Sequence, residues 1–302
     1  MAISRAQLVK ELEPGLNALF GLEYKRYDSE HEEIYTKESS DRAFEEEVML
    51  SGFANAQTKP EGQGVSFDEA QETFTARYTH ETVALAFAIT EEAMEDNLYD
   101  RISSRYTKAL ARSMANAKQV KAASPLNNGL PSGTFNTGDG TTLISASHPT
   151  IAGTFSNTLA TAADLNETSL EQAMIDIAAF TDERGLKIAA KGMKMIIPSA
   201  LQFTADRLMK SPGRVGTADN DINALKNMGM IPQGYRVNHY LTDTDAFYII
   251  TDVPNGMKYF DRAPLKTAME GDFDTGNVRY KARERYSFGC SDPRGIYGSP
   301  GA

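Results

Sequence analysis

Four histidines, one cysteine and one short acidic loop are the residues of this chain with obvious chemical potential. His31, His80, His148 and His239 lie far apart, with no H-E-x-x-H pair or other spacing that sets two ligands on one helix face. Asp219-x-Asp221-x-Asn223 opens like a calcium loop. It has Ala224 where the tight turn needs glycine and Met230 where a bidentate glutamate belongs, so it reads as an exposed acidic loop. Cys290 sits in Gly289-Cys290-Ser291-Asp292-Pro293-Arg294-Gly295 with no histidine nearby, and reads as a small packing residue. A nucleophile elbow, a phosphate-cradling glycine loop and a dinucleotide fingerprint are all absent from the sequence. No catalytic residue, cofactor or metal is expected.

Composition narrows the class. The chain has 302 residues, 41% apolar and 24% charged, which suits one large or two ordinary globular domains. A net charge of −10 argues against general binding of nucleic acid over the whole surface. A lone cysteine permits no internal disulfide and no thiolate zinc site. The N-terminus lacks the apolar stretch of a secretory signal, and Val83–Ile89 is too short to span a bilayer. A soluble protein made in the cytoplasm is the expectation.

The elements that would position any working surface follow from periodicity. Residues 5–22 predict a short amphipathic helix broken at Pro14-Gly15, and residues 23–47 an acidic extended arm. Its acids cluster as Glu30, Glu32, Glu33 and as Glu45, Glu46, Glu47. Residues 48–53 are a strand candidate, a polar tip follows at 54–64, and 74–89 alternate with period two as the return strand, which predicts a long hairpin. Thr90 then caps a helix over 91–121 with acids early and bases late; it would be roughly 45 Å long. Pro125 with Asn127-Asn128-Gly129 is expected to end it.

Beyond it, 129–165 reads as an ordered loop with short strands, and 169–184 as a second helix ended by Gly185. A buried strand at 193–198 feeds a helix at 199–210, an exposed loop at 211–220 follows, and strands are expected at 237–241 and 247–251. The final strand, 278–288, puts Val278, Tyr280, Ala282, Tyr286 and Phe288 on one face, with Glu284 the exception. Arg279, Lys281, Arg283 and Arg285 line the other face. Without aromatic residues for base stacking beside them, pairing with the acids of a neighbouring subunit is the favoured reading of these cations.

The stretches 44–53, 90–116, 195–201 and 291–298, in that order, resemble a tailed-phage major capsid protein of the HK97-type fold, and more narrowly the Mu-like major head subunit group. The resemblance spans nearly the whole chain. It implies an α+β fold with an N-terminal arm (1–43), an extended E-loop hairpin (44–90), and a peripheral domain with a spine helix (91–129, completed by 250–302). An axial domain (130–249) would meet its symmetry mates through the loop 211–222, which carries Arg214. It also implies a non-enzymatic homo-oligomer of hexamers and pentamers enclosing double-stranded DNA. The chain opens directly on a short helix, so a separate scaffolding protein is expected, with a portal and an optional decoration protein. Some relatives cross-link through a ribbon lysine, and Lys59 stands at the matching place. An encapsulin-like compartment with a protein cargo is the competing reading, and an α/β hydrolase using His148 or His239 a remote one.

Overall fold

The strict alternation at the end of the chain builds the strand on which half the protein is organised. Val278–Cys290 (β11) buries every second residue from Val278 to Tyr286, Glu284 included, and exposes Arg279, Lys281 and Arg283. The computed structural model describes residues 5–90, 92, 99–214, 221–272 and 276–302. Residues 91 and 93–98 of the expected long helix, and 215–220 of the expected exposed loop, lie outside the described residues.

β11 sits inside a four-stranded sheet. Met257–Gly271 (β10) pairs antiparallel along one edge and Glu81–Ile89 (β4) along the other, while Thr36–Ser39 (β1) lies parallel beside the start of β10. A second sheet has Gly192–Ile197 (β7) between Phe247–Thr251 (β9) and Tyr235–Val237 (β8), with Ile296–Ser299 (β12) on the far side of β9. Phe44–Leu50 (β2) and Glu72–Thr79 (β3) form a separate two-stranded ribbon, and His148–Thr150 (β5) with Gly153–Phe155 (β6) a short one.

Five α-helices are described. Arg5–Tyr24 (α1) runs on through Pro14, correcting the expected break. A proline inside a helix costs about 3 kcal/mol. Leu16 and Phe20 outweigh it by packing into Leu110, Ala111, Met114, Tyr280 and Ala282. Tyr99–Asn127 (α2) likewise passes Pro125, because Ala122, Ala123 and Leu126 are dry against the body and hold the last turn. Glu167–Ala178 (α3) starts on a capping box between Asn166 and Ser169 but stops earlier than expected. Asp182 accepts the N–H groups of Arg184 and Leu186 and turns the chain through Gly185 instead. Gln202–Lys210 (α4) and the one-turn Ala224–Met228 (α5) complete the set.

Three further differences matter for placement. The strand expected at 237–241 ends at Val237, after which Asn238 donates its N–H to Ile197 O and the chain turns away. β10 lies where the resemblance implies strands but where periodicity alone predicts none. β12 returns the C-terminus to the second sheet.

The buried apolar residues divide into one cluster between α3, α4 and the second sheet, one where the end of α2 meets both sheets, one under α1, and a small one of Ala76 and Tyr78 with Phe260 where β3 meets β10.

Candidate assembly surfaces

Each acid read from the sequence as an assembly residue lies on the arm or on β2, and most have a partner in the same chain. Glu30 accepts the His239 backbone N–H at 2.9 Å and meets its ring Nδ1 at 2.6 Å. Glu33 receives Lys194 at 2.5 Å and faces Arg236 at 3.4 Å. The Lys194 hydrogen bond is the chief reason its carboxyl titrates below the usual range. Glu45 accepts from Ser40 at 2.7 Å, and Glu46 lies 3.7 Å from Arg77. Glu47 takes Lys258 at 2.5 Å and the hydroxyl of Ser291. Glu32 is exposed and has no ion pair among the described residues.

The cations divide differently. Arg214 is bonded to Glu167 at 2.9 Å, Arg279 to Asp272, and Arg285 reaches the carbonyl of Ala43 at 3.5 Å. Lys281, Arg283 and Lys59 have no carboxylate partner among the described residues. Cross-strand register sets Lys266 opposite Arg283 on β10, and Ala84 and Ala86 opposite Arg283 and Lys281 on β4. The result is a short row of free cations beside a floor of small side chains, on the face of the sheet turned away from Tyr280 and Ala282.

Lys258 and Arg294, both buried, went unnoticed in the sequence. Lys258 lies between Glu38 (3.0 Å) and Glu47. Burial works against its charge, and the two carboxylates more than compensate, so its pKa is raised. Arg294 pairs with Glu183 at 2.8 Å and with Asp292 at 3.3 Å.

The histidines serve packing and polar networks. His148 is buried, with Nδ1 toward Asp139 (2.6 Å) and Thr141 (2.8 Å) and Nε2 toward Asn157 (3.2 Å), so neither nitrogen faces a substrate. Burial alone would raise Asp139, but hydrogen bonds from His148, Thr137 and the Thr141 N–H bring it down to about 2. His31 stands edge-on to Tyr259 and Phe288, with its Nδ1 3.0 Å from the Gln119 amide. His80 bridges Ser287 and Ser40, at 2.9 Å each, where β3 passes into β4. Among the described residues no group of three or more His, Cys, Asp or Glu could hold a metal ion. No described helix is long and apolar enough to cross a membrane.

The tip of the ribbon is the other open surface, touched by the body where Arg184 donates to the Glu69 carbonyl at 2.7 Å. From Ser51 to Gln71 it has no regular structure, and Leu50, Phe53, Val65 and Phe67 are 64%, 60%, 67% and 97% exposed. Isolated apolar side chains on a surface are ordinary, but several on one projecting ribbon mark a contact surface.

A projecting ribbon, a long helix and two sheets in this order define an HK97-type shell subunit. A sequence model described as phage capsid protein matches residues 72–299, and the chain belongs to that family of viral structural proteins. It is a major capsid protein of a phage virion. Solved structures agree on the fold. The capsid of an empty GTA particle has a TM-score of 0.58 at 15% identity, covering 90% of both chains. The capsid of Myoviridae phage XM1 has a TM-score of 0.56 at 11% identity, covering 89% of both. A virus-like particle from Pyrococcus furiosus has a TM-score of 0.51 at 11% identity, covering 94% of this chain and 97% of the other. No curated protein sequence matches the chain.

Proposed function

We propose that copies of this chain form hexamers and pentamers of a closed icosahedral shell around phage double-stranded DNA, with the ribbon reaching over a neighbouring copy. The observation that carries this reading is the ribbon tip, whose apolar residues have nothing on their own chain to cover. The free cations Lys281, Arg283 and Lys266 suit the acids of a neighbour's tip, Glu61, Asp68, Glu69 and Glu72. The contact set of the assembly is then Glu32 and Lys59 as free groups, with Glu30, Glu33, Glu45, Glu46, Glu47, Arg214, Arg279 and Arg285 at its margins.

Division into an arm (1–43), a hairpin (44–90), a peripheral domain (91–129 with 250–302) and an axial domain (130–249) belongs to the same reading, with the loop bearing Arg214 at the capsomer centre. So do a separate scaffolding protein, a portal, an optional decoration protein, assembly in the host cytoplasm and kinship with the Mu-like group. A net charge of −10 suits a wall that does not hold packaged DNA in place.

Electron microscopy of the purified protein, alone and with its neighbouring gene products, tests the reading. Closed particles containing DNA are expected. Closed particles holding a protein cargo and no DNA would make it a compartment shell, and a protein that stays monomeric under every condition would defeat the proposal. Removal of residues 54–64 is expected to leave a folded subunit that builds no stable shell.

A further inference from the structure

The ribbon is joined to the body by a small buried apolar cluster of Ala76 and Tyr78 with Phe260, and by polar contacts of which several converge on one short turn. Ser291 lies against both ribbon strands. Its hydroxyl donates to Glu47 of β2, so the Tyr78 hydroxyl of β3, 2.5 Å away, must be the donor in their shared bond. Asp292 caps the turn, accepting the Arg294 N–H at 2.9 Å. Arg294 spreads its guanidinium over three regions at once. It donates to Thr181 O at 2.7 Å and to Glu183 at 2.8 Å, and its Nη1 lies 3.8 Å from the sulfur of Met49 on β2. Its carbon stands 5.0 Å over the Phe155 ring.

The turn itself is fixed to the body from behind. Asn157 donates to Pro293 O and Ile296 O, Thr251 to Arg294 O, and the Ser291 N–H to Gly256 O. A Cβ on Gly295 would stand 2.3 Å from Gly256 Cα, so this backbone approach admits no side chain. A Cβ on Gly138 would likewise meet the backbone of Thr75 on β3 at 2.8 Å.

We propose that the turn Ser291–Gly295 is a clasp that sets the angle at which the β2–β3 ribbon leaves the body, with Arg294 its positioning residue. Three features support an angular role. The contacts are directional bonds, whose geometry fixes orientation as well as proximity. They reach both ribbon strands, through Glu47, Met49 and Tyr78. Clefts of about 490 and 330 Å³ open beside the clasp, lined by Glu47–Leu50 and Met49–Gly52 of the ribbon and by Pro254 and Asp292 of the body, so on the β2 side little apolar packing is there to take over the task. The buried apolar contact is the small one of Ala76 and Tyr78 with Phe260 on the β3 side.

Hydrogen exchange of the full-length, unassembled subunit tests this without requiring a shell, so its outcome is separate from that of the assembly proposal. Removing the closer pair together, as Glu183→Gln with Arg294→Met, leaves Asp292 as the one carboxylate of the cluster without its cation. Exchange in 44–50 and 72–79 is expected to rise at least tenfold, while 167–178 and 192–197 keep their protection. Ser291→Ala, a far milder change, is expected to raise exchange several-fold in the same two strands, and carries the test if the double variant does not fold. Unchanged exchange in the ribbon of Ser291→Ala, or a rise spread evenly over the chain, would overturn the proposal.

Discussion

The second sheet and the ribbon are built on opposite principles. Around the sheet, Leu170, Ala173, Ile177, Met195, Ile197, Phe247 and Ile249 have no exposed surface at all. The ribbon exposes most of its large apolar residues and, apart from the small cluster of Ala76 and Tyr78 on Phe260, is tied to the body by hydroxyl, carboxylate, imidazole and guanidinium groups. Close packing resists any change of volume but is indifferent to direction, whereas hydrogen bonds are weak singly and specific in angle. One region therefore supplies stability and the other supplies aim. The largest break of this contrast is Leu170→Ala, expected to cost about 4 kcal/mol through lost burial and the cavity left behind. Chemical denaturation of the subunit measures it, and a loss below about 1 kcal/mol would mean that the core is far more yielding than its burial implies.

Between those extremes lies the seam where the arm and the ribbon base meet the first sheet. Lys258→Met should cost about 3 kcal/mol, because it removes the cation that Glu38 and Glu47 share and leaves two carboxylates facing each other. Combined with Glu47→Gln, the penalty should fall by about half, as coupled neighbours do in a double-mutant cycle. Additive losses would show that Lys258 acts through packing of its stem.

Acid offers a smaller effect at the same seam. Burial, with the nearby Lys118, lowers His31 from 6.5 to about 4. A depressed histidine pKa means the unfolded chain binds the proton more readily, so stability is lost as pH falls from 6.5 toward 4. Going from pH 7 to pH 5 should cost about 2 kcal/mol through His31 alone. Glu284, whose pKa burial raises, works in the opposite direction over this range. The difference between the parent and His31→Gln isolates the histidine: the variant should lose about 2 kcal/mol less on acidification, and parallel pH profiles would refute the assignment.

What the sequence made legible follows the same division. β4 and β11 read cleanly because the large apolar residues of β4, and the residues of β11 from Val278 to Tyr286, keep one phase of alternation. β10 did not, because its register shifts between Asp261 and Ala263 and again before Lys266, which dephases the alternation around Pro264. Pro14 misled because local propensity lost to tertiary burial at Phe20, whereas the stop read from Pro125 with Asn127-Asn128-Gly129 falls at Asn127, two residues past the proline. The acids of the arm were visible as clusters, but their partners were not. Lys194 lies 161 positions from Glu33 and Lys258 lies 211 from Glu47; the first sits in a strand whose other residues are apolar, the second in an apolar stretch, Met257–Phe260, at the start of β10. Ser291–Gly295 was recognisable by its place in an order of segments; its work depends on contacts with Glu47, Met49, Tyr78 and Glu183 that only the fold assembles.

The smallest expected effect is the most discriminating. Phe67 is almost wholly exposed at the ribbon tip, and Phe67→Ser should change the stability of the subunit by less than about 0.5 kcal/mol, where a comparable loss of apolar volume at Leu170 costs several. A side chain that contributes so little to its own fold has its energetic role elsewhere, and in a capsid protein that place is the surface of a neighbour. Assembly should therefore respond where folding does not: the variant is expected to form closed particles less efficiently, or particles that dissociate at lower denaturant. Stability and particle yield both matching the parent would assign the contact to Leu50, Phe53 and Val65 and leave Phe67 as an idle surface residue. A fall in both together would mean instead that the ribbon tip folds back on its own chain, and the contrast between core and ribbon would fail at this residue.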